Sequence, residues 1–186
     1  FGVCDSGFLY DTDVLNTMLS DESIDVIAWG VRGYFAGFRN PEAYGWLTLE
    51  GETVTGVQVK EEPGDLGQSA VFAGVATFRR ISEFERLVES LLSNQMTVNG
   101  EYYLDSCVKL AVERGLVCKV FLVDGYESWG TPDELSTFEY WQSCFSKWPY
   151  HSYELKLDPR IPISARDRLE RSFEATPVQR PLPGTR

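Results

Sequence analysis

Apolar residues follow two different spacings along the chain. Short runs rich in β-branched and aromatic residues are typical of strands, whereas apolar residues at every third or fourth position are typical of amphipathic helices. The predicted strands cover residues 1–4, 24–29, 46–49, 54–59, 71–78 and 117–123. The predicted helices cover residues 12–19, 82–91, 104–114, 132–145 and 164–173. Strands that alternate with helices, with one hairpin among them, indicate an α/β fold with a mixed sheet.

Two of the predicted helices begin with a capping box, in which a Ser or Thr cap is followed three residues later by Glu. Thr131 is followed by Pro132 and Glu134, and Pro is well suited to the first helical position. Ser82 and Glu85 have the same spacing. Both helices are therefore expected to begin at these caps.

The segments between the elements are predicted to be loops and turns. Residues 5–7, 33–39 and 124–131 are expected as loops, and residues 50–52 as the turn of the hairpin. The loop 124–131 follows a strand directly, and open α/β sheets build their sites at the carboxyl ends of strands. The Pro-rich residues 176–186 are predicted to form a mobile tail.

The composition is that of a packed globular protein. The 186 residues are 43% hydrophobic and 13% aromatic. The formal net charge of −11 argues against a nucleic-acid surface, which needs clustered Lys and Arg, but a metal could still neutralise the phosphates of a nucleotide. No apolar run has a membrane-spanning length, so neither nucleic acid nor membrane is an expected partner.

Cysteine and histidine usage argues against zinc and against a histidine-activated nucleophile. The four cysteines form no Cys-x-x-Cys motif, and His151 is the single histidine. An α/β domain of this size does not need disulfides, so we expect reduced thiols and a cytoplasmic location.

Six segments, taken in order, resemble the sugar-phosphate nucleotidylyltransferase family. One is a Trp-Gly-Thr-Pro element at residues 129–132. The others are a strand-end Asp segment (residues 4–11), a Tyr-Gly element (41–46) and a Glu-containing element before Pro (59–63). They are followed by a Gly-containing strand (70–74) and a Gly-Glu element before a helix (99–105). The resemblance covers about residues 3–145.

The resemblance implies a Rossmann-like three-layer nucleotidyltransferase fold with a mixed sheet. It places a partial nucleotidyltransferase domain at residues 1–148 and a C-terminal extension at residues 149–186. The chain would begin within the sheet, at what matches only the C-terminal part of the family domain. The N-terminal portion, with the Gly-rich loop that wraps the triphosphate, is therefore expected to be missing.

The activity that the resemblance implies is nucleotidyl transfer from a nucleoside triphosphate to a sugar 1-phosphate, with Mg²⁺ as cofactor. Asp5 matches the catalytic and metal-binding Asp, although Asp is also common in turns. The family's second metal-binding Asp corresponds to Ser128, which is a poor Mg²⁺ ligand. Either Glu127 substitutes for it, or the metal relies on Asp5, phosphates and water.

Five residues are predicted to bind the sugar phosphate: Tyr44, Gly45, Glu61, Gly74 and Glu101. Each has an ordinary structural alternative: core packing for Tyr44, turns or bulges for the glycines, a solvated charge for Glu61 and a favourable first-turn position for Glu101. Glu62 stands where the family has Lys. Strand alternation would point Lys60 to the same side as Glu62, so Lys60 could replace that cation.

Three functions are compatible with these features. The first is an Mg²⁺-dependent enzyme that makes a nucleotide sugar. The second is a non-catalytic sugar-nucleotide-binding or regulatory member of the same fold, which Ser128 and Glu62 favour. The third is a small acidic protein-interaction domain using the aromatic segment 34–38. Members of the family are often dimers or tetramers, so the resemblance is compatible with a homo-oligomer, although the sequence does not determine the oligomeric state.

Overall fold

The computed structural model of the chain describes residues 6–147, 154–159 and 161–175. The strands are β1 (Ser6–Leu9), β2 (Val26–Val31), β3 (Gly45–Glu50), β4 (Thr53–Val59), β5 (Ser69–Phe78), β6 (Cys118–Leu122) and β7 (Gly125–Ser128). The helices are α1 (Thr12–Ser20), α2 (Phe35–Arg39), α3 (Ile81–Ser93), α4 (Leu104–Glu113), α5 (Pro132–Lys147) and α6 (Ile163–Ala175). Short 3₁₀ turns cover Pro41–Ala43 and Leu155–Leu157.

The main sheet has the strand order β6-β2-β5-β3-β4 and is mixed, as the sequence predicts. Strands β2 and β6 run parallel, and the other neighbours are antiparallel. The sheet closes on itself, because β4 also pairs with β6 where Thr53 lies opposite Lys119. Strands β1 and β7 form a separate two-stranded sheet.

Alternate residues of the strands contribute to two apolar clusters. On β2, Val26 and Ala28 belong to one cluster and Ile27 to the other, as the two-residue period of a strand requires. The first cluster includes Leu87 and Leu91 of α3 and the apolar residues of α4. Burial of each leucine contributes about 1.5–3 kcal/mol. The second cluster includes Trp46 of β3 and is packed by residues of α1.

Several predicted elements are confirmed with small shifts at their ends. Helix α1 begins after Asp11, whose carboxylate accepts hydrogen bonds from the N–H groups of Asp13 and Val14. The β3–β4 hairpin turns at residues 51–52, and α4 ends before Gly115 as predicted. A helix predicted at residues 164–173 is present as α6.

The two predicted capping boxes have different outcomes. The box before α5 is confirmed: the N–H of Thr131 donates to the Glu134 carboxylate at 3.0 Å, and the N–H of Glu134 donates to Thr131 Oγ1 at 3.2 Å. The Ser82 box is wrong, because α3 begins at Ile81 with Arg80 as its cap and no capping side chain.

Three predicted loops are wrong in whole or in part. Ser6 and Gly7 lie in β1, residues 125–128 of the predicted 124–131 loop form β7, and residues 35–39 form α2. Strands β1 and β7 become ordered by pairing with each other across more than a hundred residues, which local spacing does not reveal. The predicted strand 1–4 and the predicted mobile tail 176–186 lie outside the described residues.

The chain divides into two compact units, the first ending at Tyr126 and the second beginning at Glu127. Within the second unit, Arg166 of α6 donates to the backbone carbonyls of Ile161 and Asp158, which ties α6 to the segment before it. The functional boundary between residues 148 and 149 stays a prediction. None of the helices in the described part of the chain has the length and apolar character needed to cross a membrane.

Candidate functional site

Three segments of the first unit meet at one end of the β3–β4 hairpin. Gly45, the first residue of β3, lies opposite Val59, the last residue of β4. The N–H of Lys60 donates to the carbonyl oxygen of Tyr44 at 3.2 Å, which continues this pairing beyond the strand ends. The third segment is the entry to α4, whose Asp105 packs directly against Gly45.

Lys60 is held by the protein in a conformation that breaks the strand alternation. Its φ is +57°, a left-handed conformation that is uncommon for a residue other than glycine. The ammonium group donates to the carbonyl oxygen of Ala43 and lies 5.2 Å from the centre of the Tyr103 ring. Strand alternation therefore gives no basis for placing Lys60 on the same side as Glu62, because β4 has already ended at Val59.

Glu101 is linked to Lys60 through Tyr103. The Tyr103 hydroxyl donates to the Glu101 carboxylate, and this hydrogen bond is the main cause of the raised pKa of Tyr103. Glu101 itself is exposed and precedes α4, which begins at Leu104. The structure therefore places one predicted sugar-binding carboxylate and one cation against the same tyrosine, the carboxylate at its hydroxyl and the cation over its ring.

Asp105 is the most unusual residue of this cluster. It is 5% exposed, and its Oδ2 lies 2.1 Å from the position that a Cβ at residue 45 would take. Its Oδ1 is buried and has no hydrogen-bond partner. Burial raises the pKa of Asp105 to about 6, while backbone hydrogen bonds and the charge of Lys60 act in the opposite direction. Position 45 therefore has to be glycine because the Asp105 carboxyl group occupies the space that a Cβ would need. This holds whether or not Gly45 also contacts a ligand.

Tyr44 connects this cluster to a row of aromatic rings. Its ring packs edge-on against Tyr34 at 5.6 Å, Tyr34 packs against Tyr126 at 5.0 Å, and Tyr126 packs against Phe8 at 5.8 Å. All four side chains are half-buried. Tyr44 is thus fixed in place by its neighbours.

The other predicted sugar-binding residues lie around this cluster or apart from it. Glu61 and Glu62 follow Lys60 and are exposed. Gly74 lies on β5 with φ +79° and is exposed, at the irregularity where β5 passes β2. Its φ is explained by a β-bulge, and a contact with the sugar stays a prediction.

The pair of predicted metal ligands stays a prediction. Asp5 lies outside the described residues. Glu127 is exposed in the second unit, where partial desolvation and the charge of Glu134 raise its pKa. Ser128 is buried, and its Oγ accepts a hydrogen bond from the N–H of Gly130 at 3.4 Å. Within the described residues, no group of three or more acidic, Cys or His side chains could hold a metal ion.

Comparison with known proteins supports the fold. No family model matches the sequence, and no curated protein matches it significantly. A nucleoside-diphosphate-sugar pyrophosphorylase from Vibrio cholerae RC9 is structurally similar, with a TM-score of 0.53 and 17% identity over 72% of this chain and 52% of that protein. A protein assigned as a glucose-1-phosphate thymidylyltransferase from Bacillus anthracis, solved in complex with a sucrose, has a TM-score of 0.53 and 16% identity over 72% of this chain and 49% of that protein.

These similarities show that the chain has a nucleotidyltransferase-like α/β fold with a mixed sheet. The chain spans about half the length of the two solved proteins. Activity and substrates are therefore proposals for this chain, and the site residues have to be argued from their own geometry.

The sequence interpretation missed Asp105 and Tyr103. Asp105 has a recognisable signal, because it is spaced three and six residues from Val108 and Ala111, both of which are buried. A carboxylate on the apolar side of a helix indicates either a paired charge or a raised pKa.

Proposed function

We propose that this chain is the acceptor-binding part of an enzyme that transfers a nucleotidyl group from a nucleoside triphosphate to a sugar 1-phosphate. A phosphate oxygen of the acceptor attacks the α-phosphorus, the bond to the bridging oxygen breaks, and pyrophosphate leaves. The observation that carries the proposal is the meeting of Tyr44, Gly45, Lys60 and Glu101 at one end of the β3–β4 hairpin, on a fold similar to that of a nucleoside-diphosphate-sugar pyrophosphorylase.

The residues of the cluster match the groups of a sugar phosphate. The ammonium of Lys60 is suited to a phosphate, and the exposed carboxylates of Glu61 and Glu101 are suited to accept from sugar hydroxyls. Tyr44, fixed by Tyr34, offers an aromatic ring beside them. In this arrangement the protein binds and orients the acceptor, and most of its contribution to the rate comes from positioning and charge.

The proposed cofactor is Mg²⁺, with Asp5 as a ligand and with either Glu127 or phosphates and water completing its coordination. Carboxylate oxygens are hard donors of the type that Mg²⁺ takes, and the ion commonly has only one or two protein carboxylates. When bound, the ion would neutralise charge on the phosphates. A cytoplasmic location remains part of the proposal.

One observation favours a second candidate, a sugar-nucleotide-binding protein without turnover. Ser128 stands where the nucleotidylyltransferase family has a metal-binding Asp, and serine has no carboxylate. Its side chain is buried, and its Oγ already accepts a hydrogen bond from the backbone N–H of Gly130. Binding of a nucleotide sugar that is independent of Mg²⁺, without pyrophosphate release, would support this candidate.

The proposed function is tested by binding and turnover measurements on matched lysine variants. Lys60→Met removes the cation of the cluster, whereas Lys109→Met removes an exposed cation from α4 and changes the net charge equally. We expect Lys60→Met to weaken binding of the preferred sugar 1-phosphate by about tenfold or more, in line with the loss of a charged hydrogen bond, and Lys109→Met to leave it unchanged.

Turnover is followed as pyrophosphate release from a panel of nucleoside triphosphates and sugar 1-phosphates by the protein in its full length. Release that depends on both substrates and is lost in Lys60→Met supports the proposal. If no combination is bound or turned over by the wild-type protein, the proposed function is wrong.

A further inference from the structure

Asp105 lies at the centre of the candidate site but matches none of the predicted site residues. We propose that Asp105 is a positioning residue that acts through Lys60: the charge on its carboxyl group sets how much of the Lys60 positive charge is available to an anionic ligand. This inference rests on the proposed function, because it takes the ligand to be the phosphate of the acceptor.

The geometry fixes Asp105 in place. It is the second residue of α4, a position where an acidic side chain is ordinarily exposed and interacts with the helix dipole. Asp13 has the same position in α1 and is exposed. Asp105 is instead buried, with one oxygen against the backbone of Gly45 and the other without a donor. A buried carboxyl group in such surroundings is stabilised by taking up a proton.

The charged and titratable groups that interact with Asp105 come from the end of β4, the segment before α4 and α4 itself. The end of β4 contributes Lys60, whose charge favours the ionised form of Asp105. The segment before α4 contributes Tyr103, which binds Glu101, and the charge of Asp105 helps to raise the pKa of Tyr103. Helix α4 contributes Cys107, whose pKa rises to about 11 through burial first and the charge of Asp105 second. The entry to β3 contributes Gly45 without a charge.

The attraction between two charges is mutual. Because the charge of Lys60 favours the ionised form of Asp105, the ionised carboxylate acts on Lys60 in turn. When Asp105 is ionised, its negative charge offsets part of the ammonium charge. When Asp105 is protonated, Lys60 faces an anion without that opposition. The pKa of Asp105 is raised to about 6, so the change falls between about pH 5 and pH 7. Anion affinity should therefore increase as the pH falls through this range.

The test uses inorganic sulfate as the probe, because sulfate keeps its two negative charges from pH 5 to pH 8, whereas a phosphate ester does not. In the wild-type protein we expect sulfate to bind about three- to fivefold more tightly at pH 5 than at pH 8, an effect of the size expected for two unit charges about 5 Å apart in a medium as polar as water. Asp105→Asn should bind with nearly the same affinity at both pH values. Asp13→Asn, with the same change at the same helix position, should keep the wild-type difference.

A second measurement keeps the test decisive if Asp105→Asn does not fold. Carbon-13 NMR of the wild-type protein follows Lys60 Cε and Asp105 Cγ together from pH 4.5 to pH 8, and both signals should show an inflection near pH 6. An Asp105 signal that titrates near pH 4, or an Asp105→Asn variant with the wild-type sulfate dependence, overturns the inference. Neither result bears on pyrophosphate release, so failure of the inference and failure of the proposed function are distinguishable.

Discussion

Replacing Asp105 by Asn should change the pH dependence of stability in a defined direction. The pKa of Asp105 rises from 3.8 to about 6 on folding, and burial is the largest cause. A carboxyl group with a raised pKa binds more protons in the folded state than in the unfolded state. Its contribution to the free energy of unfolding is therefore greatest in acid, falls as the pH rises from about 4 to about 6, and is constant above that range.

The magnitude follows from the shift. About two pKa units correspond to ~3 kcal/mol in full, of which about 2 kcal/mol is lost between pH 4 and pH 7.5. Asn has nearly the same shape and does not titrate. We therefore expect the free energy of unfolding of Asp105→Asn to rise by about 2 kcal/mol relative to that of the wild type between pH 4 and pH 7.5. This change is expected whatever the difference in stability between the two proteins at pH 4.

Urea unfolding followed by circular dichroism at several pH values measures this difference. Asp13→Asn is the matched control, because Asp13 has the same helix position and is exposed. Parallel stability curves for wild type and Asp105→Asn would refute the reasoning, since they would show that Asp105 does not bind extra protons in the folded state.

Three further predictions concern close packing and helix capping, each measured as the free energy of unfolding in urea. Gly45→Ala should lower the free energy of unfolding by about 1–3 kcal/mol, because the new Cβ would lie 2.1 Å from Asp105 Oδ2. Part of this loss should disappear when Asp105→Ala is added. If the losses of the two single variants simply add in the double variant, this explanation is contradicted. Leu87→Ala should cost about 2–5 kcal/mol, whereas Leu92→Ala on the exposed side of α3 should cost much less; similar losses would argue against the described packing. Asp11→Ala should cost ~0.5–2 kcal/mol through loss of the α1 cap, and an unchanged stability would show that the cap contributes little.

Elements with local signals were predictable from the sequence. The start of α1 at residue 12, the hairpin around Gly51 and the capping box of Thr131 with Glu134 each depend on residues a few positions apart. The apolar spacing of residues 82–91 likewise predicted the helix that is present as α3, in which Leu87 and Leu91 are buried. In these cases the hydrogen bond or the packing face is determined by neighbours in the chain.

Features that depend on distant residues were not predictable in the same way. Pairing of β1 with β7 joins segments more than a hundred residues apart, and it orders residues that otherwise have the composition of loops. The left-handed conformation of Lys60 invalidates an argument from strand alternation. The contact of Asp105 with Gly45 joins the start of α4 to the start of β3, so neither residue by itself reveals why the other is needed. Tyr44, Gly45 and Glu101 were thus predicted from the sequence and lie in the described cluster, whereas the buried carboxyl group of Asp105 was not predicted.

The most direct test of the central claim is a crystal structure of the protein with the sugar 1-phosphate that binds most tightly in a panel. We expect the phosphate to contact the Lys60 ammonium and the sugar to lie beside Tyr44, with a hydroxyl donating to Glu101 or Glu61. A sugar phosphate bound elsewhere, with the Lys60 ammonium still on the carbonyl of Ala43, would contradict it.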